Sequence, residues 1–238
     1  MAGTPFPPIV QEVVDLPCVG STNTFALDSG RAGLLVTASE QTEGRGRKGR
    51  SWFSPPGANL YATLTVDMVD PRLPLVAGVA LREALAEITG SNFPIEIKWP
   101  NDLIVQGKKI CGILCEARRG ITAVGMGINV NQDAWPAGLE SRATSLAQVL
   151  GREVDKERVL HRAVESLDRW LTLFTSQGFG PVRRNYLEHG LLSTHELLTE
   201  EGEPCSIVGL NEDGHLLIDV AGEPRELVSG SIVIQQKA

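Results

Sequence analysis

Four strand-patterned segments, "IEIKW", "DLIVQG", "KKICGILCEA" and "ITAVGMGINVN", follow one another between residues 95 and 131, with turns at Gln106-Gly107 and Arg119-Gly120. Two-residue turns join antiparallel strands, whereas parallel neighbours need a crossover of about a dozen residues or more. Two further strand patterns precede them, "GLLVTASEQ" and "ANLYATLTVDM", the second alternating and rich in threonine. Helical patterns lie mostly outside this run. "STNTFALDSG" opens with caps and closes with Gly30, "PLVAGVALREALAEITG" runs from near Pro74 to Gly90, and Leu160, Ala163, Val164, Leu167, Trp170, Leu171 and Phe174 form one stripe at three- and four-residue spacing. The order selects an α+β fold: a mixed, largely antiparallel sheet with helices on one side. Residues 131–144 have little periodicity and read as an irregular loop.

The texture changes near Leu192. Five short alternating runs, "HELLTE", "PCSIVGL", "HLLIDV", "RELVSG" and "SIVIQ", read as a small β-barrel. This predicts a main domain over 1–190 and a C-terminal barrel over 191–238, which a chain of 238 residues with 42% hydrophobic content can support. No stretch reaches the roughly 18 uninterrupted apolar residues of a membrane span, and the first residues do not read as a leader, so the expected location is cytoplasmic. Four scattered cysteines do not make a disulfide framework; Cys111 and Cys115 would share one face of a strand as core thiols.

The chemistry concentrates in "GRGRKGRSW", where Arg45, Arg47, Lys48 and Arg50 alternate with glycines. Without these four charges the formal net charge of −7 becomes −11, so the rest of the molecule is a poor general binder of polyanions. Gly44-x-Gly46-x-x-Gly49 matches a dinucleotide-binding pattern, but a turn and a strand follow where a helix N-terminus is required. A solvated surface loop would gain nothing by clustering cations, and an Arg-Gly nucleic-acid segment would sit in a basic domain with interleaved aromatics. A compact polyanion such as a nucleoside triphosphate suits the segment best. "KWPND" (98–102) adds a cation, an amide and a carboxylate, "KKICGIL" adds Lys109 on the face of Cys111, and "GMGINVN" adds Gly125, Gly127 and Asn129.

Taken together, "STN", "EQTEGRGRKGRSW", "KWPNDL", "KKICGIL" and "GMGINVN" resemble, in order and spacing, the biotin protein ligases. The resemblance covers roughly residues 10–185, and the C-terminal barrel matches in texture only. It implies a catalytic fold of the class II synthetase type followed by an SH3-like barrel. It also implies an enzyme that converts biotin and ATP to biotinyl-5'-AMP and pyrophosphate, then biotinylates a lysine of a biotin carboxyl carrier domain of acetyl-CoA carboxylase or a related carboxylase. Mg²⁺ would accompany the nucleotide, held mainly by its phosphates.

By the same resemblance, Ser21, Thr22, Asn23 and Gln41 would serve the ureido ring of biotin. Arg45, Arg47, Arg50 and Lys109 would balance the phosphates, with Lys109 touching both carboxylate and α-phosphate. Asn101 and Asn129 would hold nucleotide or metal, Lys98 would belong to the same ligand-binding set, and Asp102 would orient or deprotonate the acceptor lysine. Gly44, Gly46, Gly112 and Gly127 would let backbone approach the ligands, while Trp52 and Trp135 would cover the adenylate. Only twenty residues precede Ser21, so no DNA-binding domain and no DNA partner are expected, nor a membrane; a homodimer is compatible with the reading. The rivals are a lipoate- or octanoate-attaching enzyme, against which "GRGRKGR" stands, and a non-catalytic biotin or nucleotide sensor.

Overall fold

The computed structural model describes residues 6–90, 92–190 and 195–235. Strands β1 (Glu12–Leu16), β2 (Leu34–Ala38), β3 (Leu60–Val66), β4 (Glu96–Lys98), β5 (Asp102–Val105), β6 (Lys108–Arg118) and β7 (Ile121–Ile128) form one sheet in the order β1-β2-β3-β7-β6-β5-β4. The β1–β2 pair is parallel and the other pairs are antiparallel. The sheet is thus mixed and largely antiparallel, and the turns at 106–107 and 119–120 lie where the sequence puts them.

Alternation along the central strands gives the sheet two unlike faces. Leu60, Ala62, Leu64 and Val66 of β3, with Val124, Met126 and Ile128 of β7, join one large apolar cluster. Helices α2 (Leu73–Thr89), α4 (Lys156–Gln177) and α5 (Gly180–His189) supply its other half. α2 is buried nearly all round and stops at Gly90, whose φ of 72° suits glycine. α4 starts where the Asp155 side chain accepts from the N–H groups of Glu157 and Arg158. The short α3 (Leu146–Leu150) ends the irregular stretch. One helix departs from the one-sided arrangement: α1 (Thr22–Asp28) lies on the opposite face, with Ala26 packed on Leu34 and Val36 in a separate cluster. That second face carries Tyr61, Thr63 and Thr65 of β3 and Gly125 and Gly127 of β7, so beside its small apolar cluster it is polar where the first face is apolar.

The C-terminal module has the five strands read from the sequence: β8 (Leu197–Leu198), β9 (Pro204–Leu210), β10 (Leu216–Val220), β11 (Glu223–Leu227) and β12 (Val233–Ile234), all antiparallel, in the order β11-β10-β9-β8-β12. Leu210, Leu216, Ile218, Val220 and Ile232 belong to the same apolar cluster as α2 and β3. The buried Trp99 indole donates to the Gly214 carbonyl at 3.1 Å, fixing the "KWPND" turn to this module. The boundary read at 190/191 falls on residues 191–194, outside the described residues. No described helix is long and apolar enough to cross a membrane.

Candidate active site

The first cleft, of about 140 Å³, opens on the polar face of the sheet. Its end wall is the start of α1, where Ser21, Thr22 and Asn23 are all buried. Ser21 stands at the N-cap position yet makes no cap bond, which leaves its hydroxyl for the cleft. Thr63 organises the neighbours: its Oγ1 lies 2.8 Å from Thr22 Oγ1 and 2.7 Å from Asn23 Oδ1. The Thr22 N–H and hydroxyl donate to Gln41 Oε1 at 2.9 and 3.1 Å, and Gln41 Nε2 donates to Ser54 Oγ. Asn23 Nδ2 donates to the Leu114 carbonyl at 3.0 Å and to Glu116 Oε2 at 2.8 Å. This preset array of donors and acceptors suits a small polar ring with both a carbonyl and N–H groups.

Glycine makes the floor. A Cβ on Gly125 would stand 2.3 Å from Asn23 Oδ1, and one on Gly127 would stand 2.5 Å from the Trp52 ring. A Cβ on Gly112 would meet the same indole at 2.7 Å. Any larger residue at these three positions would displace Asn23 or Trp52. The close approach that glycine permits here is to a protein ring and an amide, and these in turn shape the cleft. Trp52 Nε1 is buried with no partner among the described residues, a donor suited to a ligand oxygen.

Strict alternation along β6 would place Lys109 on the face of Cys111. The structure corrects this. Pairing with β5 shifts between Leu103 and Ile104, so that Cys111 faces Leu103, Lys109 faces Ile104, and Ile110 is the extra residue of a bulge. Ile110 and Cys111 are both fully buried in the core, and Lys109 turns to the face of Gly112, where a Cβ would lie 3.1 Å from its Nζ. Asn129 holds the bulge: its N–H donates to the Ile110 carbonyl at 2.9 Å, and its Nδ2 donates to the carbonyls of Lys109 and Thr144 at 3.3 and 3.0 Å. Lys109 Nζ then pairs with Asp102 Oδ1 at 2.7 Å and lies 4.9 Å from the centroid of the Trp52 ring. The cysteines stay in the core: burial raises the Cys111 thiol and pushes that of Cys115 up to about 12.

The cation loop folds back on itself through a bond from the Gly46 N–H to the Arg50 carbonyl at 2.7 Å, with a 3₁₀ turn at Arg47–Gly49. Arg45 donates to Thr24 Oγ1 at 3.0 Å and to Glu116 Oε2 at 3.2 Å, the carboxylate that also holds Asn23. Arg47 reaches Asn101 Oδ1 at 3.4 Å and the Gly230 carbonyl at 3.3 Å. Burial lowers the Arg47 guanidinium from its ordinary value, opposed by Asp102 and Glu200. Arg50 is exposed on the cleft rim. Gly44 lines neither cleft; a Cβ there would lie 2.6 Å from both Ser54 Oγ and the Trp52 carbonyl, so its smallness serves packing behind the loop.

A second, larger cleft of about 840 Å³ adjoins the first. Lys98, Asn129, Trp135 and Arg142 line it alone, and Arg50, Trp52, Asp102, Lys109 and Glu200 line both. Burial holds the Lys98 ammonium below the ordinary lysine value, and the charges of Lys109, Arg50 and Arg142 push the same way against Asp102. Trp135 is anchored by its Nε1 donating to Gln148 Oε1 at 3.2 Å. The predicted residues therefore divide: Ser21, Thr22, Asn23, Gln41, Arg45, Gly46, Arg47, Asn101, Gly112 and Gly127 at the first cleft, Lys98, Asn129 and Trp135 at the second. Thr63, Glu116, Arg142, Glu200 and Gly230 complete the site without any local sequence signal, since each is brought there by pairing or docking distant in the chain.

Comparison with known proteins accords with this geometry. Residues 16–133 match the model of the Biotin/lipoate A/B protein ligase family. The chain is 33% identical to the biotin--[acetyl-CoA-carboxylase] ligase of Paracoccus denitrificans, over 83% of this chain and 90% of that one. It is 30% identical to the bifunctional ligase/repressor BirA of Escherichia coli, over 94% of this chain and 74% of that one. Among solved structures, the biotin protein ligase of Aquifex aeolicus in complex with biotin and ATP superimposes with a TM-score of 0.84 at 32% identity, covering 95% of this chain and 100% of that one. A polar slot and a cationic cleft meeting at one lysine, on this fold and with these relatives, place the chain in the biotin protein ligase family.

Proposed function

We propose that this chain is a biotin–protein ligase: it joins biotin to ATP as biotinyl-5'-AMP, releasing pyrophosphate, and passes the biotin to a lysine of a biotin carboxyl carrier domain. The observation that carries the reading is the junction of two unlike clefts at Lys109, Asp102 and Trp52. The α1 end of the small cleft offers hydroxyl and amide partners for a ureido ring, and cations for a triphosphate run from its other end into the large cleft: Arg45 and Arg47 line the first, Lys98 and Arg142 the second, Arg50 and Lys109 both. A carboxylate leaving the first meets an α-phosphate entering from the second beside the Lys109 ammonium. The Aquifex relative, solved in complex with biotin and ATP, supports the same pairing of ligands.

In the first step a carboxylate oxygen of biotin bonds to the α-phosphorus and the bond to the bridging oxygen breaks, so that pyrophosphate departs. Charge builds on non-bridging and leaving oxygens, where Lys109 and Arg47 stabilise it from anchored positions and Arg50 from the cleft rim. Trp52 and Trp135 shield the mixed anhydride from water. In the second step the carrier lysine attacks the acyl carbon and AMP leaves. Asp102, already holding one ammonium, orients or deprotonates the incoming amine. On this reading the domain over 1–190 carries most of the chemistry, with Glu200 and Gly230 added from the C-terminal barrel, and the reaction is a cytoplasmic one.

Among the described residues no three His, Cys, Asp or Glu side chains group as ligands, and Asp102 and Glu200 are each paired with a lysine. Magnesium belongs to this reading as the counter-ion of the nucleotide. Biotin-dependent exchange of pyrophosphate into ATP is the direct test. Exchange with biotin and not with lipoate is expected; exchange driven by lipoate alone, or by neither acid, would overturn the proposal.

A further inference from the structure

The C-terminal module grips the tip of the cation loop. Lys48 has φ 56° and ψ 33°, a left-handed conformation unfavourable for a residue with a side chain, and Gly49 follows at φ 72°. The Lys48 ammonium donates to both oxygens of Glu200, at 3.0 and 2.9 Å. Glu200 sits in the turn between β8 and β9 and borders both clefts. Its carboxyl is held below the ordinary value, first by the Lys48 hydrogen bond, with the charges of Arg50 and Arg47 adding to it. From the same module the Gly230 carbonyl takes Arg47 at 3.3 Å. Two adjacent residues of a loop rich in like charges are therefore held from outside the sheet domain, and one of them is in a conformation that needs holding.

We infer that Glu200 is a positioning residue: through Lys48 it fixes the loop tip in its left-handed turn and keeps Arg47 and Arg50 beside the clefts before a nucleotide arrives. Glu116 does the corresponding work for Arg45 at the other end of the loop. An exposed ion pair ordinarily contributes little. Here its loss would also release a strained residue among repelling charges, so its effect falls on loop order more than on global stability. The consequence for ATP rests on the ligase reading; the consequence for the loop does not.

The test uses the full chain with Glu200→Gln, Glu200→Asp, Lys48→Met and the Glu200→Gln/Lys48→Met pair. Limited trypsin digestion without ligand, followed by mass spectrometry, reports cleavage after Arg47 and Arg50. Glu200→Gln should speed loop cleavage about two- to fivefold, leave cleavage elsewhere unchanged, and raise the KM for ATP by a similar factor with kcat within about twofold. Glu200→Asp should restore much of the wild-type behaviour, and Glu200→Gln should add nothing in the Lys48→Met background. Equal loop cleavage in wild type and Glu200→Gln, or the same increment with Lys48 already removed, would overturn the inference. If loop cleavage behaves as stated but wild type shows no biotin-dependent exchange, the ligase reading falls and the role of Glu200 in holding the loop stands.

Discussion

Lys109 Nζ stands 2.7 Å from Asp102 Oδ1, a pair made possible by the bulge at Ile110 that turns the lysine out of the core. If this ammonium bridges carboxylate and α-phosphate, its contact strengthens as charge develops in the transition state. Lys109→Ala should depress pyrophosphate exchange by about 10²–10³ while weakening biotin binding by less than about tenfold. It also leaves the Asp102 carboxylate facing the phosphates unbalanced. Adding Asp102→Asn should therefore recover a few-fold of the lost ATP affinity, about fivefold for each kcal/mol of repulsion removed. Equal losses in exchange and biotin binding would demote Lys109 to a binding residue.

The glycine floor yields a second expectation. Gly125→Ala puts a methyl 2.3 Å from Asn23 Oδ1, and Asn23 is tied to Thr63, Leu114 and Glu116, so it cannot step aside without breaking those bonds. Displacing Asn23 leaves polar groups of the slot unpaired, a cost of about 1–3 kcal/mol, which corresponds to roughly 5- to 150-fold in the biotin Kd. Calorimetric titration checks this. In an Asn23→Ala background the alanine at 125 should cost much less; an unchanged penalty there would mean that the clash with Asn23 is not its cause.

The fold was legible where the sequence pattern is local. The turns at 106–107 and 119–120, the stripe on α4 and the five C-terminal strands all follow from neighbouring residues. β1 escaped because five residues with mostly exposed side chains carry little alternation, and α3 because five residues make barely more than one turn. Lys109 shows the other limit. Its side of the sheet depends on one extra residue opposite Leu103 and Ile104, and a bulge is a property of the pair of strands. Thr63 read as one more strand threonine; only the register that sets β3 beside β7, under α1, makes it the hub of the first cleft. Glu200 and Gly230 reach the loop only through docking of the C-terminal module.

That docking has a pH signature. Arg72 Nε and Nη2 donate to Asp70 Oδ1 and Oδ2 at 3.0 and 2.8 Å, Arg72 lies 5.1 and 5.4 Å from the rings of Phe174 and Phe179, and its Nη1 reaches the Glu212 carbonyl. One side chain thus joins the start of α2 to α4, α5 and the C-terminal module. The Arg72 hydrogen bonds hold the Asp70 carboxyl below its ordinary value of 3.8. With the folded value depressed, the unfolded chain binds the extra proton, so this stabilisation is full above the unfolded value and is lost as pH falls through the folded one. Asp70→Asn should lower stability by about 1–2 kcal/mol at neutral pH, roughly 2–8 °C in Tm for a chain of this size. Melting curves of wild type and variant should converge in acid below the folded value. A gap that persists there would point to packing, not charge.

Lys98 responds in the opposite sense. Burial, reinforced by Lys109, Arg50 and Arg142, holds its ammonium below the ordinary 10.5, so the empty site releases this proton earlier than a free lysine would. Phosphates entering the second cleft add counter-charge to that of Asp102 and raise the value again. ATP binding should therefore take up a proton around the depressed value, and ATP affinity should fall, with a negative slope, as pH rises through it. Lys98→Met should abolish that slope and weaken ATP binding at neutral pH by about five- to tenfold, equivalent to about 1–1.4 kcal/mol. Titrations in two buffers of different ionisation enthalpy measure the proton uptake directly. If Lys98→Met takes up as much proton as wild type, the responding group is another one and Lys98 stays charged throughout.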